Sequence, residues 1–260
     1  MLLREVEYAR PPTVEEAISL LGSHDGARPL AGGQTLVNVM KQRAAAPDVL
    51  VDLADLDELR AISRTADGGL ELGATATYSD VIGSPDATAA RPILAEVCAQ
   101  IADVQVRNRG TVGGNVCSSD PTNHLPPLMV AVGATMTIAG ASGEREVPAE
   151  EFFLGVYFTA VSPGELLTKV TIPPKAGRDG FASVTIGKDG TCIVSAAASV
   201  NGQTRLAIGC VSATPVVVEG SDPEAVRAAV TDPPSDVHAS AEYRRHLAEV
   251  LAARAVSEAK

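Results

Sequence analysis

Apolar residues recur at helical spacing from Val14 through Ala17 and Ile18 to Leu21, and Thr13 stands three residues before Glu16. That spacing predicts an amphipathic helix opened by a capping box, with Gly22 near its end. Ala27–Leu30 then reads as a short extended piece. It runs into the glycine turn Ala31-Gly-Gly-Gln-Thr35, and a helix is expected over Leu36–Arg43. Val49–Leu53 is a compact apolar strand, and Leu59–Ser63 and Leu70–Ala74 are expected to be strands around the Asp67-Gly-Gly69 turn. Thr77 is placed to cap a short helix, and a longer one is expected from Pro92 to about Ile101. The polar Arg107-Asn-Arg109 leads into a second glycine element, Gly110–Asn115. Pro126 and Pro127 open an apolar stretch through Val132.

From about Gly177 the texture changes to alternating strand-like segments: Phe181–Ile186, Cys192–Val200 and Thr204–Val211. The turn signals Asp189-Gly190 and Asn201-Gly202 separate them. Two helices follow, Pro223–Val230 and one from about Ala239 to the end. The expected fold class is α+β. A linker rich in proline and charge near Pro173–Gly180 divides residues 1–176 from a smaller α+β domain, 177–260, with a three-stranded antiparallel sheet and helices.

A chain of 260 residues buries roughly three quarters of its unfolded surface, enough for one large domain or two modest ones. The net charge of −11 repels phosphate backbones and disfavours nucleic acid as a partner. No apolar run approaches the about 18–20 residues of a membrane span. Arg4, Glu5 and Glu7 stand where a signal peptide needs apolar residues, so a secretory signal is not expected. The four cysteines, Cys98, Cys117, Cys192 and Cys210, form no CxxC pair and no iron–sulfur binding run. They read as thiols of a cytoplasmic protein.

Ala31–Thr35 and Thr111–Asn115 carry the candidate chemistry. Glycine admits positive φ and lets a ligand approach the backbone, and successive amides in such turns converge on an anion. Neither segment matches GxGxxG or GxxxxGK[ST], which disfavours a dinucleotide-binding Rossmann unit and a nucleoside triphosphatase. With few free cations, backbone amides would carry the work. Read alone, each Gly-Gly pair is more often a plain turn than a ligand clasp.

Taken together, AGGQT with LVNVMKQR, RNRGTVGGNVCSSDPTNHLPP, Ser162-Pro-Gly-Glu-Leu-Leu167 and Ala241-Glu-Tyr-Arg-Arg-His-Leu247 resemble the medium, FAD-binding subunits of the xanthine dehydrogenase and carbon monoxide dehydrogenase family. The motifs occur in order over almost the whole chain. The resemblance implies a two-lobed FAD-binding domain of the PCMH type, with lobes of about 1–54 and 55–176, followed by the carboxy-terminal flavoprotein domain. It implies non-covalent FAD, and electron transfer from [2Fe-2S] clusters on a small partner subunit to an external acceptor. Substrate would be hydroxylated at a molybdenum–pterin cofactor on a large partner subunit, and whole complexes would pair as dimers of heterotrimers.

Carried over by position, Pro29, Leu30, Ala31, Gly32, Gly33, Gln34, Thr35 and Leu36 would hold the pyrophosphate and nearby ribitol. Thr111, Gly113, Gly114 and Asn115 would complete the clasp, and Ile101, Ser118 and Leu167 match flavin-contacting positions. His124 stands where many relatives have a cofactor-binding Asp. Ser183 stands where some have a lysine facing the flavin, with Lys188 nearby as a substitute. Other positions carry two readings each: a loop histidine against a cofactor contact for His124, a packed small residue against a place near the flavin for Cys117, helix caps against proton carriers for Asp103 and Asp120, and a salt bridge against pairing with phosphate or a partner subunit for Arg107 and Arg109. His24, His238 and His246 read as surface positions. No block of four cysteines suggests a further cluster. The chain offers no nucleophilic triad, acid pair or metal cluster, which favours an electron relay over a self-sufficient FAD oxidoreductase or a nucleotide-binding regulatory module.

Overall fold

The computed structural model describes residues 3–187 and 190–260. The chain opens with β1 (Glu7–Ala9), α1 (Val14–Ser23), β2 (Ala27–Leu30), α2 (Leu36–Lys41) and β3 (Val49–Asp52). These strands form a parallel sheet in the order β1-β3-β2. β3 takes the centre because Val49-Leu-Val is apolar on both faces, as a strand covered on both sides must be. The Thr13 hydroxyl accepts from the Glu16 amide, forming half of the expected capping box. The full box occurs instead at Thr77, whose hydroxyl and amide both engage Asp80.

A second sheet follows: β4 (Ile62–Arg64) and β5 (Leu70–Gly73) pair around the expected Asp67 turn. Asp57–Leu59 is a single helical turn, so β4 begins later than the apolar pattern suggested. Then come α3 (Tyr78–Gly83), α4 (Pro85–Ala90), α5 (Ile93–Cys98), α6 (Val104–Arg107), α7 (Val112–Ser118) and α8 (Leu125–Ala131). β6 (Thr135–Gly140), β7 (Gly143–Pro148), α9 (Ala149–Phe152), β8 (Phe153–Gly155), β9 (Phe158–Thr159) and β10 (Leu166–Ile172) complete this part. The sheet order is β4-β5-β10-β6-β7, and β8 and β9 form a two-stranded sheet of their own among the described residues.

The last part is a meander of β11 (Arg178–Thr185), β12 (Cys192–Asn201), β13 (Gln203–Gly209) and β14 (Val216–Glu219), with α10 (Pro223–Ala229) and α11 (Ala241–Ser257). A fourth strand, β14, therefore joins the three expected. It pairs with β13 through Val216, Val217 and Val218, a run too short to stand out as a strand beside its flanking turns. The turn at Asp189 lies outside the described residues. Every residue of α8 is buried, because the helix packs against β12 and β13 while its other side meets the second sheet's core. Among the described residues, no helix is long and apolar enough to cross a membrane.

A buried ion pair helps tie the last part to the rest. Arg91, at the end of α4, donates to both carboxylate oxygens of Asp179 on β11 at 2.8 Å, and to the Pro173 carbonyl at 2.9 Å. The two side chains are 4% and 2% exposed, so neither charge is rehydrated if its partner is removed. Asp179→Asn or Arg91→Leu should cost about 3–5 kcal/mol, read from urea unfolding midpoints. Replacing both with apolar residues of similar volume should recover much of the loss.

Candidate functional site

Outside the carboxyl ends of β2 and β3 opens a cleft of about 320 Å³. It is lined by Leu30–Gln34, by Val37, Asn38 and Lys41 on α2, by Asp52 at the end of β3, and by Arg109. Ligand sites in parallel α/β units lie at this end of the strands, where helices and loops diverge. The chain turns sharply at Gly33, whose φ is +71°, a conformation glycine adopts without the clash of a side chain. Among the described residues, the amides of Gly32 through Leu36 donate to no protein acceptor. The first amides beyond them with partners are Val37, bonded to the Gly33 carbonyl, and Val39, bonded to that of Thr35. A row of unpaired N–H groups at the mouth of a cleft is a ready acceptor site for an anion.

The two glycine segments meet. A Cβ on Gly32 would overlap the Arg109 carbonyl and stand 2.9 Å from the Gly110 Cα. Gly110 in turn packs on the Tyr78 ring and accepts from the Tyr78 amide at 3.1 Å.

The second segment differs from the expected loop. Thr111 is the N-cap of α7, and Val112 through Asn115 are already helical. Their amides are engaged: Val112 to the Ala76 carbonyl, Gly113 to that of Ala74, Gly114 to the Thr111 hydroxyl, and Asn115 to the Thr111 carbonyl. Among the described residues, the row of free amides expected on both sides is present in the first segment, whereas Val112 through Asn115 of the second are all bonded within the protein. Gly113 is a packing glycine, because a Cβ there would stand 2.6 Å from that of Ala74. Gly114 is exposed beside the half-buried Ser118, one turn along the same helix face. Asn115 donates to the Tyr78 hydroxyl at 2.9 Å, and Asn123 braces the helix through the Asn115 carbonyl and Ser118 hydroxyl.

The other expected positions scatter. Pro29 and Leu30 end β2, Thr35 caps α2 without a side-chain bond, and Leu36 begins it. Ile101 packs half-buried against the main core, and its carbonyl accepts from Arg107. The Leu167 side chain is 2% exposed and lies in that core. Ser183 is on β11 opposite Ser195, and Lys188 lies outside the described residues. His124 is buried, its ring 5.3 Å from that of Phe181, with Nε2 lacking a partner among the described residues. Burial pushes its pKa down to about 4.

Asp103 caps α6, and Asp120 closes a turn by accepting from the Thr122 amide and hydroxyl. Arg107 is spent on the Ile101 and Ala102 carbonyls. Burial pushes the Cys117 thiol up to about 12, which keeps it protonated. No group of His, Cys, Asp and Glu among the described residues can hold a metal ion. Sequence reasoning passed over Lys41 and Asp52. Asp52 accepts from the Tyr8 hydroxyl and the Ala54 amide. Its position, as the carboxylate ending a central parallel strand, was the available signal.

Residues 4–175 match the family of the FAD binding domain in molybdopterin dehydrogenase. The chain is 36% identical to the carbon monoxide dehydrogenase medium chain of Afipia carboxidovorans, over 100% of this chain and 98% of the relative. It is 31% identical to the glyceraldehyde dehydrogenase medium chain of Sulfolobus acidocaldarius, over 98% of each. Among solved structures, reconstituted CO dehydrogenase from Oligotropha carboxidovorans superposes with a TM-score of 0.93 at 35% identity, over 100% of this chain and 99% of that one. Quinoline 2-oxidoreductase from Pseudomonas putida 86 gives 0.91 at 33%, over 100% and 98%.

Two outcomes follow from the geometry. Gly32→Val forces the two glycine segments apart and should lower stability by about 1–3 kcal/mol. Gly83→Ala, with nothing within 4 Å of its added carbon, should not, as urea unfolding will show. His124 has a folded pKa below the ordinary 6.5, so the unfolded chain binds its proton first. Its contribution to stability is complete above pH 6.5 and fades toward pH 4, a loss of about 3 kcal/mol. In His124→Phe that part of the pH dependence should vanish from the unfolding midpoints.

Proposed function

Because this chain belongs to the family of FAD-binding domains in molybdopterin dehydrogenases, we propose that it is the electron-transfer subunit of a multi-subunit molybdenum hydroxylase. In this reading it takes electrons from [2Fe-2S] clusters on a small partner subunit and passes them through FAD to an external acceptor. A large partner holds the molybdenum–pterin cofactor where substrate is hydroxylated. The chain is an oxidoreductase subunit in any case, as its relatives are dehydrogenase medium chains. Its free thiols suit a reducing compartment such as the cytoplasm.

The observation that carries the cofactor reading is the run of unpaired amides from Gly32 to Leu36. A dinucleotide pyrophosphate offers the acceptors that such a run lacks. When bound, FAD supplies two-electron storage and release in single or paired steps. The chain's own part is to bind and orient. Gly33 aims the amides, and bare Gly32 lets the Arg109–Gly110 backbone close against the turn. α7 then follows directly, presenting the side-chain-free surface of Gly114 and the Ser118 hydroxyl. Ser118 donates to the Asn115 carbonyl and accepts from Asn123, which holds it in one rotamer. His124, neutral and enclosed, contributes no charge.

Native mass spectrometry of the endogenous protein should find it in equal amounts with a small iron–sulfur subunit and a large molybdenum subunit. Acid should release FAD and not FMN. A fully active monomer or homodimer free of iron and molybdenum partners would contradict the relay.

A further inference from the structure

We propose that Arg109 and Lys41 are the cationic arms of the cleft, binding the dinucleotide pyrophosphate together with the free amides of Gly32–Leu36. The inference rests on the FAD reading above and adds to it the side chains that neutralise the ligand's charge.

Both residues line the cleft, one from the end of α2 and one from the segment that meets Gly32. They are separated in sequence and brought together only by the contact between the glycine segments. The chain carries a net charge of −11, and its cations are widely consumed. Arg60, Arg145 and Arg227 hold the carboxylates of Asp80, Glu165 and Glu249. Arg91 and Arg244 are buried against Asp179 and Asp236. Arg107, two residues from Arg109, is bound to backbone carbonyls. Among the described residues, Arg109 and Lys41 have no such partner.

The one carboxylate lining the cleft, Asp52, is held by Tyr8 and the Ala54 amide. The lining therefore keeps one positive charge in excess on an acidic molecule, beside unpaired N–H donors. That combination fits a diphosphate: amides fix its oxygens by direction, and a guanidinium and an ammonium offset its charge. Neutral hydroxyl-bearing ligands would leave both cations unused.

The test is titration of the full-length chain with FAD, followed by quenching of flavin fluorescence. Arg109→Gln and Lys41→Gln should each weaken binding about tenfold in about 20 mM salt. The gap from wild type should narrow in about 500 mM salt, where exposed charges are screened. Arg109→Lys and Lys41→Arg should restore most of the affinity. Wild-type binding of FAD with unchanged affinity in both Gln variants would overturn this proposal and leave the cofactor reading standing. So would a loss that is the same at both salt concentrations or is not restored by the charge-keeping variants. Failure of the wild-type chain to take up FAD would remove both.

Discussion

The architecture of the site depends on one backbone contact, that of Gly32 with Arg109 and Gly110. No side chain fits between these segments, since a Cβ on Gly32 would overlap the Arg109 carbonyl. This approach joins a parallel βαβ unit, which ends in free amides, to a helix whose amides are all used. The two glycine segments resemble each other in sequence but do different work. Gly33 is needed for its positive φ, Gly32 and Gly113 for close packing, and Gly114 for an exposed helix face without a side chain. The same contact carries Arg109 to the cleft that Lys41 lines from the other segment.

The rest of the fold supports that contact from behind. α7 sits on the Ala74–Ala76 stretch through two backbone bonds, and Tyr78 receives both Gly110 and Asn115. α8 fills the space between the second sheet and the carboxy-terminal meander. The Arg91–Asp179 pair closes the same seam with a bidentate bond out of reach of water. Asp179 also exchanges backbone bonds with Lys260, so the chain end is held at the seam.

Elements with a strong local signature were legible in the sequence. The Thr13 cap, the strands β3 and β5, the Asn201-Gly202 turn and the closing helix each follow from a few adjacent residues. The first glycine turn and the helix after it were legible because their signals are local too. What was not legible depended on partners distant in sequence. Val112–Asn115 is helical because Thr111 caps it and Ala74 and Ala76 receive its amides, and nothing within Gly-Thr-Val-Gly-Gly announces those acceptors. β10 and the β6–β7 hairpin are marked by the turn signals Pro163-Gly164 and Gly140-Ala-Ser-Gly143, but the pairing of β10 with β5 and β6 depends on partners distant in sequence. His124, expected either at the cofactor or as a loop histidine, is buried against Phe181 far along the chain, a contact no local signal announces. Lys41 and Asp52 gained meaning only once the parallel sheet had placed both at one cleft.

The central claim is that the first glycine segment grips the pyrophosphate through its backbone while the second only closes behind it. Residue-resolved amide hydrogen exchange with and without saturating FAD measures this directly. FAD should slow exchange strongly at Gly32, Gly33, Gln34, Thr35 and Leu36, whose amides are free in the protein. Val112 through Asn115, already bonded, should change little by comparison. Full FAD occupancy with no added protection from Gly32 to Leu36 would contradict the account.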